Sequence, residues 1–375
     1  MPFSRPVVVM GGSGSGTSTV GVAPLSKGWP MADRVRVVVA TAQTDENIEW
    51  LCGREPRLDV VFEPSLLGPP SHNWMVRHQR TAEEQARFEA LLDTAEVLFG
   101  VPDHSGAALA RTVAANPGLR WVHTIPAGGG QQVRAAHLDD DALSRILFTT
   151  SAGVHAEPLA EFAVFGVLAG AKMLPYLRTA QIRHEWAPRV AMPLAPDLTV
   201  AVVGLGAIGR LTASKLAGLG YRVVGVHRRL VEVPGVAQVF LTDKLAEVAA
   251  TVDAIVLALP GTSQTDGMLS REVLAAIKPG ASVVNIGRGS TVDEPALIEA
   301  LSDGRVGFAA LDVTAVEPLP HDSPLWDLPN VLISPHTAAI SVHEARLITE
   351  LFARNATAFL DGLPLENVVN TVEFY

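Results

Sequence analysis

Cysteine is nearly absent: Cys52 stands alone among 375 residues. A single thiol has no partner for an intramolecular disulfide and cannot build a cysteine-based metal site. That usage fits a reducing cytoplasm, and no metal is expected. Charge is also scarce, at 18% of residues, and its balance is acidic, with 39 Asp and Glu against 29 Lys and Arg. A nucleic-acid partner requires a basic face to neutralise phosphates, so a net charge of −10 argues against one. Long apolar runs are missing too: no segment approaches the roughly 18 consecutive apolar residues of a membrane span. The most apolar stretch, Phe162 to Ala171, lies between Glu161 and Lys172. It reads as a buried helix at a domain or subunit interface. What is plentiful is hydrophobic side chains, 48% of the chain. At this length they are enough for two domains, each with its own core.

Residues 1–33 stand apart. Val7-Val8-Val9-Met10-Gly11 followed by Gly16-Thr17-Ser18 resembles a phosphate-binding loop. Thr17, however, occupies the place of the lysine that reaches the phosphates. Pro24, Gly28 and Pro30 then interrupt the helix that should follow. The expectation is a nonfunctional extension, with the folded chain beginning after Met31.

From Arg34 the chain alternates strands and helices. Expected strands are Val35 to Ala40, Val60 to Phe62, Val97 to Phe99, Trp121 to Thr124 and Ile146 to Phe148. Thr81-Ala82-Glu83-Glu84 has capping-box spacing and opens a helix. A second series follows: Val200 to Val203, Arg222 to Val226, Ala254 to Leu259, Ser282 to Ile286, Phe308 to Val313 and Val331 to Ile333. Such alternation predicts α/β architecture with parallel sheets covered on both faces. The expected division is a first domain of residues 34–155 with 341–375 and a second of 156–340. A last helix, Val342 to Asp361, returns to the first domain, so two crossings frame a hinged cleft.

The second series opens with Val200-Ala201-Val202-Val203-Gly204-Leu205-Gly206-Ala207-Ile208-Gly209-Arg210. Its strand, glycine-rich turn and helix N-terminus form the context in which G-x-G-x-x-G reads as a dinucleotide site. Gly204 permits the turn, Gly206 admits a pyrophosphate and Gly209 allows close helix–strand packing. Ala207 and Ile208 open the helix whose free N–H groups face that pyrophosphate. An acidic residue normally ends the second strand of such a unit and binds the ribose hydroxyls. Here that place holds His227, followed by Arg228 and Arg229. Two guanidinium groups suit a 2′-phosphate, so NADP(H) is expected over NAD(H).

Ligands in open α/β sheets bind beyond the carboxyl ends of the strands. Three charged residues follow successive strands of the second series there: Arg288, Glu317 and His336. Together they suit carbonyl reduction. Arg288 can grip a carboxylate through two parallel bonds and polarise the adjacent carbonyl. An imidazole titrates near neutrality and can protonate a nascent alkoxide, a task for His336. Glu317 can hold that imidazole in place.

These segments resemble the D-isomer-specific 2-hydroxyacid dehydrogenases over about residues 34 to 370. The matching runs are Gly204 to Arg210, Asn285-Ile286-Gly287-Arg288-Gly289 with Val292-Asp293-Glu294, and Leu311-Asp312-Val313 with Glu317-Pro318-Leu319-Pro320. Ser334-Pro335-His336 and Asn367-Val368-Val369-Asn370 complete them. The resemblance implies a flavodoxin-like substrate domain, a Rossmann cofactor domain and a homodimer built through the latter. It implies that Arg288 binds a small 2-oxo acid, His336 is the acid/base and Glu317 is its partner. Ala127, Gly128 and Gly129 would bind the substrate carboxylate through their backbone, although Gly130 replaces an Asp frequent in the family. Leu259, Pro260, Thr265 and Ile286 would line the cofactor, with Asp312 near the nicotinamide amide. The implied activity is reduction of a 2-oxo acid such as glyoxylate or hydroxypyruvate to a D-2-hydroxy acid. The Pro-rich stretch Pro64 to Arg80, with His72, Trp74, Arg77 and His78, is a candidate substrate loop. The alternative is a cofactor-sensing binding protein like the corepressors that share the triad.

Overall fold

A computed structural model of the chain describes residues 34–69, 78–372 and 374. The first sheet holds β1 (Val35–Val39), β2 (Leu58–Val61), β3 (Val97–Phe99), β4 (Trp121–Thr124) and β5 (Leu147–Thr150), in the order β2-β1-β3-β4-β5. All four pairings are parallel. The second sheet holds β6 (Thr199–Val203), β7 (Arg222–His227), β8 (Gln238–Leu241), β9 (Ala254–Leu257), β10 (Ala281–Asn285), β11 (Val306–Leu311) and β12 (Val331–Ile333). Its order is β12-β11-β10-β9-β6-β7-β8, again with every pairing parallel. These are two doubly wound parallel-sheet units, as the alternation predicts.

Burial explains why the strands read as continuous apolar runs. Val200, Ala201, Val202 and Val203 of β6 are all buried, and separate apolar clusters form on the two faces of that sheet. Ile348, Phe352, Ala353 and Ala356 of the helix Glu344–Leu360 pack into the core of the first sheet. Phe352 stacks on both Phe99 and Trp121. The chain thus returns to its first unit through this helix. The helix Ala156–Ala171 packs instead on the second sheet, against β10, β11 and the helix Ala207–Gly218. His155 and Glu344, at the starts of these two crossing helices, pair at 2.7 Å.

Local signals hold well. Thr81 and Glu84 make both bonds of the capping box that opens the helix Ala82–Leu92. Such a cap is worth roughly 1 kcal/mol. The strand β8 has no counterpart in the sequence reading. It is a four-residue edge strand after Pro234-Gly235, with both of its ends exposed, so no alternation marks it. Other ends shift by a residue or two: β11 begins at Val306 and β9 stops at Leu257. Residues 1–33 lie outside the described residues, as do His72, Trp74 and Arg77 of the Pro64 to Arg80 stretch. Among the described residues no single helix is long and apolar enough to cross a membrane.

Candidate active site

The strand order of the second sheet reverses between β6 and β9: from β6 the chain runs outward to β7, and β9 lies on the other side. The crevice at such a switch point is where α/β sheets bind ligands. Gly204, Leu205 and Gly206 occupy it. Gly204 has φ +95°, and a Cβ on Gly209 would sit 1.8 Å from the Gly204 carbonyl oxygen, so helix and turn require both glycines. Nothing lies within 4 Å of where a Cβ on Gly206 would point, so that side of the turn is open. Gly206 is the N-cap of the helix Ala207–Gly218, whose first N–H groups, at Ala207 and Ile208, lack partners within the helix. An open turn, a helix N-terminus and a buried strand fit a dinucleotide pyrophosphate.

His227 is the last residue of β7 and its Nδ1 accepts the Leu205 N–H at 3.4 Å. Burial pushes this imidazole below its usual range, and Arg228, Arg210 and Arg229 push it the same way. A neutral ring is what a hydrogen bond accepted at Nδ1 requires. Arg228 and Arg229 are exposed and make no ion pair or hydrogen bond among the described residues. Arg210, to which the motif alone assigns no duty, donates from Nε to the Leu205 carbonyl at 2.9 Å. Across the crevice, Leu259 is half-buried and Pro260 exposed. Thr265 closes that loop by donating to the Pro260 carbonyl at 2.6 Å. Ile286 is buried in the core of the second sheet.

Arg288, Glu317 and His336 stand beyond β10, β11 and β12, which are neighbours in the sheet. His336 Nδ1 lies 2.7 Å from Glu317 Oε2, and both side chains remain partly exposed. The arrangement leaves Nε2 of His336 free to face a ligand. The Arg288 backbone is held by Asn285, whose Nδ2 donates to the Arg288 carbonyl while its Oδ1 accepts the Gly287 N–H, both at 3.0 Å. Arg288 itself donates from Nη1 to the Gly287 carbonyl. Glu317 sits in a turn held by two carboxylates. Its own Oε1 accepts the Thr314 N–H, and Glu294 accepts that of Ala315. Asp312 is buried, and its Oδ1 accepts from Ser334 Oγ and from the backbone of Thr337 and Ala338, at 2.7–2.9 Å. Its carboxylate therefore braces the His336 turn, a duty the sequence did not announce.

In the first sheet, Ala127 and Gly128 are exposed in the turn after β4, and Gly129 is buried beneath them. The N–H groups of Ala127 and Gly128 have no partner among the described residues, whereas the Gly129 N–H closes on Pro126. Two free adjacent donors suit an anion.

Residues 164–338 match the family model described as D-isomer specific 2-hydroxyacid dehydrogenase, NAD binding domain. The chain is 30% identical over 313 residues to a glyoxylate reductase of Thermofilum pendens, covering 81% of this chain and 86% of that protein. Among solved structures, it resembles a D-isomer specific 2-hydroxyacid dehydrogenase from Xanthobacter autotrophicus Py2 in complex with NADPH and MES. That match has TM-score 0.71 and 28% identity, over 92% of this chain and 100% of the other. An NADPH-dependent glyoxylate/hydroxypyruvate reductase from Sinorhizobium meliloti, in complex with NADP and sulfate, matches with TM-score 0.71 and 25% identity, over 91% and 100%.

Proposed function

Because the chain belongs to the D-isomer-specific 2-hydroxyacid dehydrogenase family, and so is an NAD(P)-dependent oxidoreductase, we propose that it reduces a small 2-oxo acid to a D-2-hydroxy acid. The substrate class is that of glyoxylate and hydroxypyruvate, and NADP(H) is the preferred cofactor. The observation that carries this reading is the 2.7 Å His336–Glu317 pair at the end of the sheet that bears Arg288 and the G-x-G-x-x-G turn.

The turn Gly204 to Gly209 with Ala207 and Ile208 would hold the pyrophosphate, Arg228 and Arg229 the 2′-phosphate, and Leu259 to Thr265 the opposite wall. When bound, the nicotinamide supplies the hydride. Arg288 binds the carboxylate and polarises the carbonyl beside it, and its permanent charge suits both tasks. Ala127 and Gly128 bind the same carboxylate from the first sheet. Glu317 accepts Nδ1–H of His336, which fixes the ring and leaves Nε2–H to protonate the carbonyl oxygen. Residues 34–155 with 341–375 thus form the substrate half and 156–340 the cofactor half. Exposed Leu177, Ile182, Trp186 and Leu194, all within the cofactor half, support assembly as a homodimer.

The test is loss of absorbance at 340 nm with NADPH or NADH and glyoxylate, hydroxypyruvate, pyruvate or phenylpyruvate. We expect oxidation of NADPH with at least one acid, and a fall in kcat of roughly 10²–10⁴-fold in His336→Ala. Tight NADPH binding without oxidation by any acid would overturn the reading and favour a cofactor-sensing binding protein.

A further inference from the structure

The first sheet holds a titratable side chain that the chemistry above does not use. His123, in β4, is completely buried, as are Thr124, Thr149 and Ser151 around it. Its ring is the middle link of a hydrogen-bonded chain. Trp121 Nε1 donates to Thr149 Oγ1 at 2.8 Å, and that oxygen lies 2.8 Å from His123 Nδ1. Ser151 Oγ lies 3.2 Å from His123 Nε2 and donates to the Thr124 carbonyl at 3.1 Å.

The chemistry of the two ends sets the direction of every link. Ser151 gives its proton to a carbonyl, which can only accept, so it must accept from His123 Nε2–H. An indole N–H can only donate, so Thr149 accepts it and keeps its own proton for His123 Nδ1. Both assignments require a neutral ring with its proton on Nε2, and burial pushes this imidazole down to about 3. The order is therefore Trp121 to Thr149 to His123 to Ser151 to Thr124. The ring is boxed in by Phe352 at 5.6 Å and Trp121 at 6.2 Å. Ser151 is equally confined: Asn367 Nδ2 donates to the carbonyls on either side of it, those of Thr150 and Ala152.

The end of this chain is the last carbonyl of β4, from which the turn with the two free N–H groups departs. We propose that His123 and Ser151 are positioning residues that hold the turn 125–129 in the shape needed to receive a substrate carboxylate. The inference rests on the reading of Ala127 and Gly128 as carboxylate donors. Removing the Ser151 hydroxyl leaves the buried Thr124 carbonyl without its side-chain donor, and its peptide plane is then free to turn in search of another. Because the next peptides follow that plane, the N–H groups at Ala127 and Gly128 lose their common aim. An apolar residue in place of His123 removes the N–H that orients the Ser151 hydroxyl, so the same bond to the Thr124 carbonyl is loosened one link earlier.

Three variants of the full chain test this: Ser151→Ala, His123→Leu and His123→Gln. Glutamine carries an acceptor oxygen and a donor N–H on one planar group, so it can relay both bonds, whereas leucine only fills volume. The measurements are amide hydrogen exchange of peptides covering residues 122–134, KM and kcat with glyoxylate, and NADPH affinity by fluorescence. Ser151→Ala and His123→Leu are expected to exchange faster at Gly129 to Gln132 and to raise KM about tenfold. kcat and NADPH affinity should stay within about twofold, and His123→Gln should restore both exchange and KM. Unchanged exchange in Ser151→Ala overturns the proposal, and so does His123→Gln behaving like His123→Leu. Faster exchange with an unmoved KM overturns it differently, since the turn is then ordered by the chain but does not hold the carboxylate. Failure of the functional reading itself has its own signature: native protein that oxidises NADPH with no 2-oxo acid.

Discussion

Arg228 and Arg229 act at a rim shaped by the residue that precedes them. A carboxylate at the end of β7 would repel a 2′-phosphate; the chain has His227 there, turned back to hold Leu205. The ring stays neutral because burial and three arginines disfavour its charged form, so the positive charge at this rim belongs to the arginines. Each charge-assisted bond to a phosphate is worth about 1.5–3 kcal/mol. Replacing Arg228 and Arg229 together with Ala loses at least two such bonds and should raise KM for NADPH by roughly 10²–10⁴-fold. KM for NADH should move by no more than about twofold, since no 2′-phosphate is present to lose. Steady-state kinetics with both cofactors decides this, and equal effects would sink the preference for NADP(H). Residues of this kind can be proposed from the sequence because a charged side chain just past an apolar strand has few structural reasons to be there. Asp312 was legible only as a member of a motif. Its work depends on where Ser334, Thr337 and Ala338 come to lie, more than twenty residues away.

At the scale of elements, the turn after β12 shows how one buried carboxylate organises a loop. His336 has φ +53° and donates its N–H to the Asp312 carbonyl. The Asp312 side chain takes three further donors from the same turn. Removing it in Asp312→Ala leaves those donors to compete for water in a site with little room. The expected loss of stability is about 2–4 kcal/mol, measured by urea denaturation. kcat should also fall by at least about tenfold, because His336 loses its fixed approach. Stability lost with kcat intact would reduce Asp312 to a support of the fold alone. Elements differ in legibility for the same reason residues do. The capping box at Thr81 depends on a spacing of three and could be read directly. The strand β8 depends on pairing with β7, and nothing in Gln238-Val239-Phe240-Leu241 records that partnership.

Across the whole molecule, two sheets share one chain through two crossings. The helix Glu344–Leu360 carries Phe352 into the first core, where it meets Trp121 and His123. The buried hydrogen-bonded chain is thus also part of the junction that returns the chain to its starting unit, and its protonation state bears on global stability. An unfolded histidine binds a proton near pH 6.5, whereas His123 in the folded chain does so only at about 3. Between these values the unfolded chain holds more protons, so stability rises with pH and falls as acid is added. The contribution is fully present above about 6.5 and is lost progressively toward pH 3. The separation corresponds to an upper bound of about 5 kcal/mol. Glutamine at this position has nothing to protonate. The Tm of His123→Gln should therefore fall less steeply than that of the native chain between pH 6.5 and 4. Near pH 7.5 the two should differ little. Thermal melts across that range check this directly. Parallel curves would mean that His123 takes up its proton equally in the folded and unfolded chain, and the neutral ring on which the hydrogen-bond order depends would have to be abandoned.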